Sequence, residues 1–222
     1  MKTSMISSPQ NQPFGEDRQS RIVIAALEVF SKSSFGNATT EEIARRARVS
    51  KRDIYAAFPD KHAILAAAIA MVLQSGDENL QRVISDSQKD PASLQETLEI
   101  VGLALVAEIL SPMSGFVVRL VSSESLHQPS IGAAYFENWY TRRTRTIAQL
   151  FSGRMPKTKG RNARPFDFNL ASSHFLGLIT HLPQLTAGIG MLDSWNPKSI
   201  QAHVKDSVEC FLKAYPGVSV RD

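Results

Sequence analysis

Basic and hydroxyl side chains are concentrated in one short stretch of this sequence. They lie between positions 39 and 61 and are Thr39, Thr40, Arg48, Lys51, Arg52, Tyr55 and Lys61. Lysine and arginine neutralise phosphates, and hydroxyl groups donate hydrogen bonds to phosphate oxygens. Arginine also binds guanine through two parallel hydrogen bonds. The chemistry available to this stretch is therefore binding of a nucleic-acid backbone, combined with contact to base edges.

Two short helices must position these side chains. The first is predicted over Thr40 to Ala47, because Thr39 is a good N-cap residue and Glu42 follows at the capping-box spacing. A tight turn is predicted at residues 48–49. The second helix is predicted from Lys51 to Phe58, so the two helices form a pair around the turn.

The second helix carries its own start and stop signals. Ser50 caps it, Asp53 repeats the box spacing, and Pro59 ends it. Its apolar residues share one face and are Ile54, Ala57 and Phe58. The opposite face consists of Lys51, Arg52, Tyr55 and Ala56. A short helix with an apolar back and a basic front is typical of a helix that enters the DNA major groove.

The same residues resemble a known family. The run A-T-T-x-x-I-A-x-x-A-x-V-S-x-x-x-I-Y-x-x-F-x-x-K, from Ala38 to Lys61, resembles the DNA-binding domain of the TetR family of bacterial transcription regulators. The resemblance implies a three-helix helix-turn-helix domain over residues 17–62 that binds a double-stranded DNA operator. Within it, Lys51 and Arg52 are expected at base edges. The side chains expected at phosphates are Thr39, Thr40, Tyr55 and Lys61, and Arg48 completes the DNA-binding set.

The sequence departs from the family pattern at two positions. The family usually has glycine in the turn where this chain has Arg48, and a positive φ there would cost arginine about 1 kcal/mol more than glycine. The family also often has a Gly-Thr pair where this chain has Arg52 and Asp53. The operator sequence of a relative is therefore not transferable to this chain.

Composition is that of an ordinary globular chain. The 222 residues are 43% apolar and 21% charged, and the net charge of +4 suits a focused DNA-binding patch. The single cysteine, Cys210, excludes an intramolecular disulfide and suits a reducing compartment. The longest apolar run, residues 63–73, is too short to cross a bilayer. We therefore expect a cytoplasmic location and no membrane contact.

Helical periodicity extends over most of the chain. No useful length alternates with period two, so the predicted fold is all-α. Further helices are predicted over 17–33, from 60 to the low eighties, over about twenty residues that include 94–109, around 116–121, and over 129–151, 166–182 and 197–215. Residues 1–16 are predicted to be a disordered tail, because they are rich in Ser, Pro, Gln and Asn.

The second half, residues 63–216, also resembles the TetR family, in its AefR-like subgroup. The resemblance is carried by R-L-x-x-x-E at Arg119 to Glu124, by Pro129 and Phe136, and by V-E-C-F-L-K-A-Y at Val208 to Tyr215. It implies a helical domain that binds a small-molecule effector. It also implies a homodimer that pairs through the last two helices, with Cys210 in or near the contact as a small apolar residue.

Candidate residues for the effector pocket are large apolar, aromatic or histidine side chains of this domain. They are Met113, Phe116, Leu120, Phe136, Trp139, Tyr140, His174, Phe175, Leu178 and His181. We place the pocket between the fifth and eighth helices and expect a largely apolar effector. A helical domain also needs such residues to fill its interior, so core packing is the alternative for each of them.

Other chemistries find little support in the sequence. Asp167, His174 and His181 are spaced by seven residues, about 10.5 Å along a helix, which is too far apart for one metal ion. The tract from 142 to 164 holds eight Lys or Arg, and its loop, 152–164, is either a second nucleic-acid surface or a solvated loop. Glycine-rich phosphate loops, H-E-x-x-H and G-x-S-x-G are absent, so we expect neither enzymatic activity nor a cofactor.

These expectations combine into one function. The chain is predicted to be a repressor that a small-molecule effector releases from a palindromic operator, and activation stays open because the sign of regulation is not in the sequence. The alternative is a DNA-organising or cell-division accessory protein that has the same fold but no effector.

Overall fold

A computed structural model describes residues 17–87, 93–154 and 166–215, and over these ranges the chain forms ten α-helices and no strand. The helices are α1 Arg18–Lys32, α2 Thr40–Ala47, α3 Lys51–Ala57, α4 Lys61–Ser87, α5 Leu94–Ile109, α6 Pro112–Glu124, α7 Pro129–Phe136, α8 Arg142–Arg154, α9 Phe168–Gly188 and α10 Pro197–Ala214. A π-helical segment, Glu137–Thr141, joins α7 to α8, and a 3-10 turn, Leu192–Ser194, precedes α10. The predicted all-α class is confirmed.

The chain divides into two compact units, and the boundary falls between Ala68 and Ile69, inside α4. The sequence places the domain boundary six residues earlier, where α4 begins. The predicted tail, residues 1–16, and residues 155–164 of the predicted basic loop lie outside the described residues. Residues 152–154 belong to the end of α8.

No single helix within the described ranges combines the length and the apolar character needed to cross a membrane.

The first unit has a small core between α1, α2 and α3. Ile22, Phe30, Ile43 and Ile54 are each no more than 2% exposed. Helix α1 supplies the first two of these residues, and α2 and α3 supply one each. This packing fixes the orientation of α3, so the side of α3 opposite Ile54 faces outward.

Side-chain caps hold α2 and α3 at the predicted positions. Ser50 and Asp53 form a complete capping box at the start of α3. Thr39 accepts a hydrogen bond from the backbone N–H of Glu42, so the N-cap prediction for α2 is confirmed. The reciprocal half of that box is not formed, because the Glu42 carboxylate accepts hydrogen bonds from Arg45 and Arg46 instead.

The core of the second unit is built around aromatic rings from α8, α9 and α10. Phe151 stacks on Phe211 at 5.4 Å between ring centroids, and Phe175 meets Phe211 edge-on at 5.3 Å. All three side chains are fully buried. Helix α5 packs against the same cluster through Leu98, Val101 and Leu105.

Several helix ends differ from the sequence prediction. Helix α4 continues to Ser87, and α5 has 16 residues, fewer than expected. Helix α9 was predicted to end at Leu182, before Pro183, and this was wrong: it passes through Pro183 and ends at Gly188. Proline removes the N–H that would bond to the carbonyl four residues earlier, which belongs to Ile179. That carbonyl accepts a hydrogen bond from His203 Nε2 at 2.9 Å instead, so the helix continues.

Candidate nucleic-acid interface and effector cavity

The turn between α2 and α3 depends on the backbone of Arg48. This residue has φ 55° and ψ 49°, the left-handed conformation that glycine adopts without steric cost. Its N–H bonds to Arg45 O, and the next N–H, of Val49, bonds to Ala44 O at 3.0 Å. The turn therefore has the geometry for which the family uses glycine, and arginine takes it at a cost of about 1 kcal/mol.

The outward side of α3 presents the side chains that the sequence places there. Lys51, Arg52 and Tyr55 are exposed, whereas Ile54 on the opposite side is 1% exposed. Tyr55 keeps 51% of its surface exposed although it is a large aromatic residue. Its hydroxyl lies 3.4 Å from Thr40 Oγ1, so one hydroxyl from each helix of the pair lies at the same edge.

Carboxylates pair with many of the basic side chains in this unit. Lys51 pairs with Glu41, and this contact is the largest cause that raises the pKa of Lys51 and lowers that of Glu41. Arg45 lies 2.7 Å from Glu42, and hydrogen bonds from Arg45 and then Arg46 lower the pKa of Glu42 to about 2.

Not every guanidinium group of this unit is paired in this way. Arg48 and Arg52 are exposed, and neither side chain has a hydrogen bond or ion pair with a described residue. Arg52 lies next to Asp53, but the Asp53 carboxylate bonds to the backbone and hydroxyl of Ser50 and to Arg18. The free guanidinium of Arg52 thus lies on the outward side of α3.

Lys61 has a structural role in this unit. Its Nζ donates to three backbone carbonyls, Phe35 O at 2.6 Å, Ala38 O at 3.0 Å and Gly36 O at 3.4 Å. It also lies 4.5 Å above the Phe35 ring. An ammonium group has three protons, and these contacts use all of them. Lys61 therefore ties the loop before α2 to the start of α4, and a phosphate contact would require it to give up these bonds.

The second unit contains a cavity with an empty volume of about 350 Å³, part of it open to solvent. Apolar side chains form most of its wall and are Val72, Leu73, Ile109, Val117, Val118 and Ala187. Two aromatic residues, Tyr135 and Trp139, and two polar residues, Ser114 and Gln184, complete the lining. The wall is therefore contributed by α4, α5, α6, α7, the π-helical segment and α9, which only partly matches the predicted location.

Of the ten residues predicted for the pocket, the structure places Trp139 in this lining. Phe175 lies in the aromatic core described above, and Leu120 is buried. Residues with considerable exposure are Met113 at 41%, Phe136 at 58% and Leu178 at 37%. Those that remain, Phe116, Tyr140, His174 and His181, are partly or fully exposed and do not line the cavity.

Sequence reasoning missed Tyr135, Ser114 and Gln184 as lining residues. Tyr135 is four residues before Trp139, and the two rings are nearly parallel, with centroids 6.4 Å apart. This spacing was the available signal, because residues four apart share a helix face. Ser114 and Gln184 carried no signal, since polar residues on amphipathic helices are usually solvated.

A buried ion-pair network lies beside the cavity. Arg143 is fully buried, and its Nη2 donates to Glu108 Oε1 at 2.7 Å and to Oε2 at 3.0 Å. Its Nη1 lies 3.4 Å from Asp77 Oδ1, and its guanidinium carbon lies 5.0 Å from the centre of the Trp139 ring. Burial raises the pKa of both Asp77 and Glu108. Trp139 thus has the cavity on one side and a guanidinium on another.

One side of α9 exposes a row of large apolar residues. Leu178, Leu182, Leu185 and Ile189 are between 37% and 63% exposed and follow each other at spacings of four and three. His174 and His181 are also exposed on this helix. Cys210, on α10, is exposed in the single chain. An apolar row of this length is more than a solvated helix normally leaves uncovered.

The three residues considered as metal ligands have other contacts or positions. Asp167 caps α9 by accepting a hydrogen bond from Leu170 N at 3.0 Å, and His174 Nδ1 contacts the Tyr215 hydroxyl. Across residues 17–87, 93–154 and 166–215, no group of three or more potential ligand side chains is placed to hold a metal ion.

The paired helices and their turn define a helix-turn-helix protein of the DNA-binding class, joined to a larger helical unit that contains a cavity. Comparison with known families gives the particular family. Residues 22–68 match the family model of bacterial regulatory proteins of the tetR family. Residues 96–217, over half of the chain, match the model of the AefR-like transcriptional repressor C-terminal domain. The chain belongs to the TetR family of bacterial regulatory proteins.

Individual relatives are distant. The chain is 20% identical over 55% of its length to the HTH-type nicotine-responsive transcriptional repressor HdnoR of Paenarthrobacter nicotinovorans, and covers 63% of that protein. It is 25% identical over 36% of its length to the HTH-type transcriptional regulator EthR of Mycolicibacterium smegmatis, and covers 37% of it. The chain therefore spans less than two thirds of each of these curated relatives.

Solved structures share the fold over most of the chain. A protein of Mesorhizobium loti assigned to the TetR family of transcriptional regulators has a TM-score of 0.78 at 21% identity, with 89% of this chain and 96% of that chain covered. The flavonoid-responsive regulator FrrA has a TM-score of 0.66 at 24% identity, with the same coverage of both chains. At these identities the likeness establishes the architecture of both units and nothing about ligands.

Proposed function

We propose that the protein is a homodimeric repressor that binds a palindromic operator and is released by a small molecule. The observation that carries the DNA part is the outward side of α3, where Arg52 is exposed and unpaired on a helix whose opposite side is buried. A helix presented in this way enters the major groove. The effector-free, DNA-organising alternative is not favoured, because family and curated relatives are named as repressors or regulators.

The proposed DNA contacts divide into two groups. Lys51 and Arg52 lie at the start of α3, where recognition helices contact base edges. Hydroxyl groups and the turn are proposed to hold the backbone through Thr39, Thr40, Arg48 and Tyr55. Lys61 is left out of this set, because three carbonyls already bind its ammonium group.

The proposed dimer forms through α9 and α10. The exposed apolar row on α9 supports it, since a second copy would cover these leucines. Two recognition helices related by a two-fold axis then reach successive major grooves about 34–36 Å apart, or a multiple of that distance. The symmetry of the protein implies an operator with inverted half-sites.

Release is proposed to come from the cavity in the second unit. A molecule that binds one arrangement of the dimer more tightly than the other shifts the population toward it. If the favoured arrangement has a different spacing of recognition helices, the two no longer fit successive grooves. Two relatives, a nicotine-responsive repressor and a flavonoid-responsive regulator, support a small organic effector as the signal.

Selection from a random duplex pool tests the DNA part. The purified protein should enrich an inverted repeat, and its affinity should fall as salt rises, because phosphate contacts release counterions. Enrichment of a motif without two-fold symmetry would contradict the dimer, and no enrichment would contradict sequence-specific binding.

Analytical ultracentrifugation tests the dimer with matched variants. Leu182→Glu places a charge in the apolar row of α9 and should convert the dimer into monomers. Leu126→Glu is the control, because Leu126 is 82% exposed and lies outside that row. A monomeric wild type at every concentration, or equal effects of both variants, would contradict the proposed interface.

A further inference from the structure

The lining of the cavity in the second unit contains no charged side chain. Its ten residues are six aliphatic residues, two aromatic residues, a serine and a glutamine. A charged ligand would lose its hydration shell on entering and would find no opposite charge in this wall. Such a transfer is strongly unfavourable unless the charge is paired. The wall therefore selects against both anions and cations.

Four polar side chains of the lining keep their hydrogen-bonding capacity unused. The side-chain groups of Ser114, Tyr135, Trp139 and Gln184 make no hydrogen bond to a described residue. Some polar side-chain atoms of the described residues are buried and have no hydrogen-bond partner, but none of them belongs to these four residues. Each is therefore available to a molecule in the cavity.

The indole of Trp139 and the phenol of Tyr135 determine which kind of ligand group can hydrogen-bond to this wall. The Trp139 Nε1–H is a donor and never an acceptor. The Tyr135 hydroxyl is protonated at neutral pH and can donate, since a phenol has an ordinary pKa of 10.0 and burial raises the pKa of this one to about 12. Both rings belong to the lining, and their centroids are 6.4 Å apart, so the two donor-bearing residues share one side of the wall. A ligand that carries an acceptor, such as a carbonyl oxygen, satisfies this side.

The charges nearest to the cavity are already matched. Arg143 lies over the Trp139 ring, and its guanidinium is bound to Glu108 and lies near Asp77. Two guanidinium groups match the two carboxylates, because Arg142 Nε also lies 3.5 Å from Asp77 Oδ2. A cation would have to approach the Trp139 ring, over which a cation already lies. Neither kind of charge gains a free partner from this network.

The cavity is also narrow. Part of its empty volume of about 350 Å³ is open solvent, and the enclosed space has room for about one water molecule, far less than a small-molecule site needs. A ligand must therefore separate the lining helices to enter. A compact ligand that does so changes the packing of α6 and α9 against α4 and α5, which is what an effector has to accomplish.

We infer that this cavity binds a compact, uncharged, largely apolar molecule that presents a hydrogen-bond acceptor to Trp139 and Tyr135. This inference rests on the proposed function, because it specifies the chemical class of the effector. An aromatic ketone or lactone has the required features, whereas a carboxylate or an amine of the same size lacks them.

Four ring-matched probes test the inference by equilibrium dialysis against the full-length protein. They are 2-acetonaphthone, 2-ethylnaphthalene, 2-naphthoate and 2-naphthylmethylamine, the last as its ammonium form. The ketone should bind about tenfold more tightly than the ethyl compound, the ratio expected for a hydrogen bond made in an apolar site. The carboxylate and the ammonium compound should bind more weakly than the ketone by at least that factor.

Two conservative variants locate the contact. Trp139→Phe and Tyr135→Phe keep a ring and remove one donor, so each should reduce the preference for the ketone over the ethyl compound by several-fold. Binding of the ethyl compound should stay unchanged. The control is Trp195→Phe, which alters the only other tryptophan, outside the cavity, and should keep the full preference. Using two variants keeps the test valid if one of them fails to fold.

The inference is overturned if the carboxylate or the ammonium compound binds as tightly as the ketone. It is also overturned if the ketone has no advantage over the ethyl compound, or if none of the four probes binds. DNA binding by the same preparation separates this failure from that of the proposed function. A protein that binds its selected duplex but none of the probes leaves the regulator in place and removes this effector class.

Discussion

His203 supplies the hydrogen-bond donor that Pro183 lacks. Proline cannot donate to the carbonyl of Ile179, and the His203 Nε2–H on α10 reaches the same oxygen at 2.9 Å. Because a carbonyl oxygen only accepts, His203 must carry its proton on Nε2. Trp195 holds both helices near this hydrogen bond. Its Nε1 donates to Thr186 Oγ1 on α9 at 2.8 Å, and its ring meets His203 on α10 edge-on.

The first prediction is that His203 and Pro183 are energetically coupled. His203→Leu should destabilise the protein by about 1–3 kcal/mol, because it leaves the Ile179 carbonyl unsatisfied. In a Pro183→Ala background the helix regains its own N–H, so the same replacement should cost clearly less. Urea unfolding of the four proteins gives the coupling energy. Equal costs in the two backgrounds would show that the hydrogen bond does not compensate for the proline.

The second prediction concerns the left-handed residue in the helix-turn-helix. Arg48→Gly should stabilise the protein by about 1 kcal/mol, because glycine takes φ 55° without the steric cost of a Cβ. Arg52→Gly is the control, because it makes the same Arg-to-Gly replacement at a position with ordinary helical φ and ψ. It should destabilise the protein by up to about 1 kcal/mol. Thermal and urea unfolding measure both. A stability loss in Arg48→Gly would mean that contacts of the arginine side chain outweigh the backbone cost.

The third prediction separates base readout from backbone contact. Arg52→Ala should weaken specific DNA binding by about 1–3 kcal/mol and relax the preference at one base position of the selected sequence. Tyr55→Phe should lower affinity evenly across sequences, because a phosphate contact carries no base information. Titrations against single-position operator variants distinguish the two. Unchanged selectivity in Arg52→Ala would remove Arg52 from the readout, and a one-position effect in Tyr55→Phe would contradict its phosphate role.

The fourth prediction concerns Gly76, which permits the buried ion pair. A Cβ on this glycine would lie 2.5 Å from Glu108 Oε1 and 2.6 Å from Arg143 Nη2. Gly76→Ala must therefore displace the ends of these two side chains, and we expect a loss of about 1–3 kcal/mol, because Arg143 is fully buried and has little room to move.

Gly153→Ala is the control for this replacement, because nothing lies within 4 Å of the added methyl group. It should be neutral or stabilising by up to about 1 kcal/mol. Denaturant unfolding compares the two variants. If Gly76→Ala were as stable as Gly153→Ala, the ion pair would have a second arrangement of equal energy.

The fifth prediction is a pH dependence that originates at Glu42. Hydrogen bonds from Arg45 and then Arg46 hold its pKa at about 2, below the ordinary value of 4.5. A carboxyl with a lowered folded-state pKa stabilises the fold above the unfolded pKa and loses this effect as the pH falls. The stability difference between wild type and Glu42→Gln should therefore be constant above pH 4.5 and shrink between pH 4.5 and about 2. A difference that stays constant through acid would show that the ion pairs contribute nothing.

Local chemistry made the DNA-binding half predictable. The bounds of α2 and the start of α3 follow from Thr39 and Ser50, whose side chains bond to backbone N–H groups three residues on. Such caps act within one helical turn, so neighbours in sequence contain the information. The exposure of Lys51 and Arg52 follows from the burial of Ile54 by the same short-range periodicity.

Tertiary contacts determined what the sequence did not reveal. The extension of α9 past Pro183 depends on His203, which lies 20 residues further along the chain. The role of Lys61 depends on three carbonyls of a loop more than 20 residues earlier. The pocket residues were predicted from the size of their side chains, which does not show which way a side chain faces. Phe175 was therefore proposed for the pocket, although it lies in the core.

The ion pairs on α2 and α3 also affect how the protein searches for its target. Lys51 and Arg45 are held by Glu41 and Glu42 before any duplex arrives, so DNA must displace a carboxylate to bind either side chain. At a random chromosomal sequence, an ion pair within the protein is only exchanged for a contact with DNA, so the net free energy of binding is small. A true target adds the proposed base contact of Arg52, which has no internal carboxylate to displace. These intramolecular ion pairs therefore weaken nonspecific DNA binding more than they weaken the specific complex. A larger share of the molecules then stays free to find the operator.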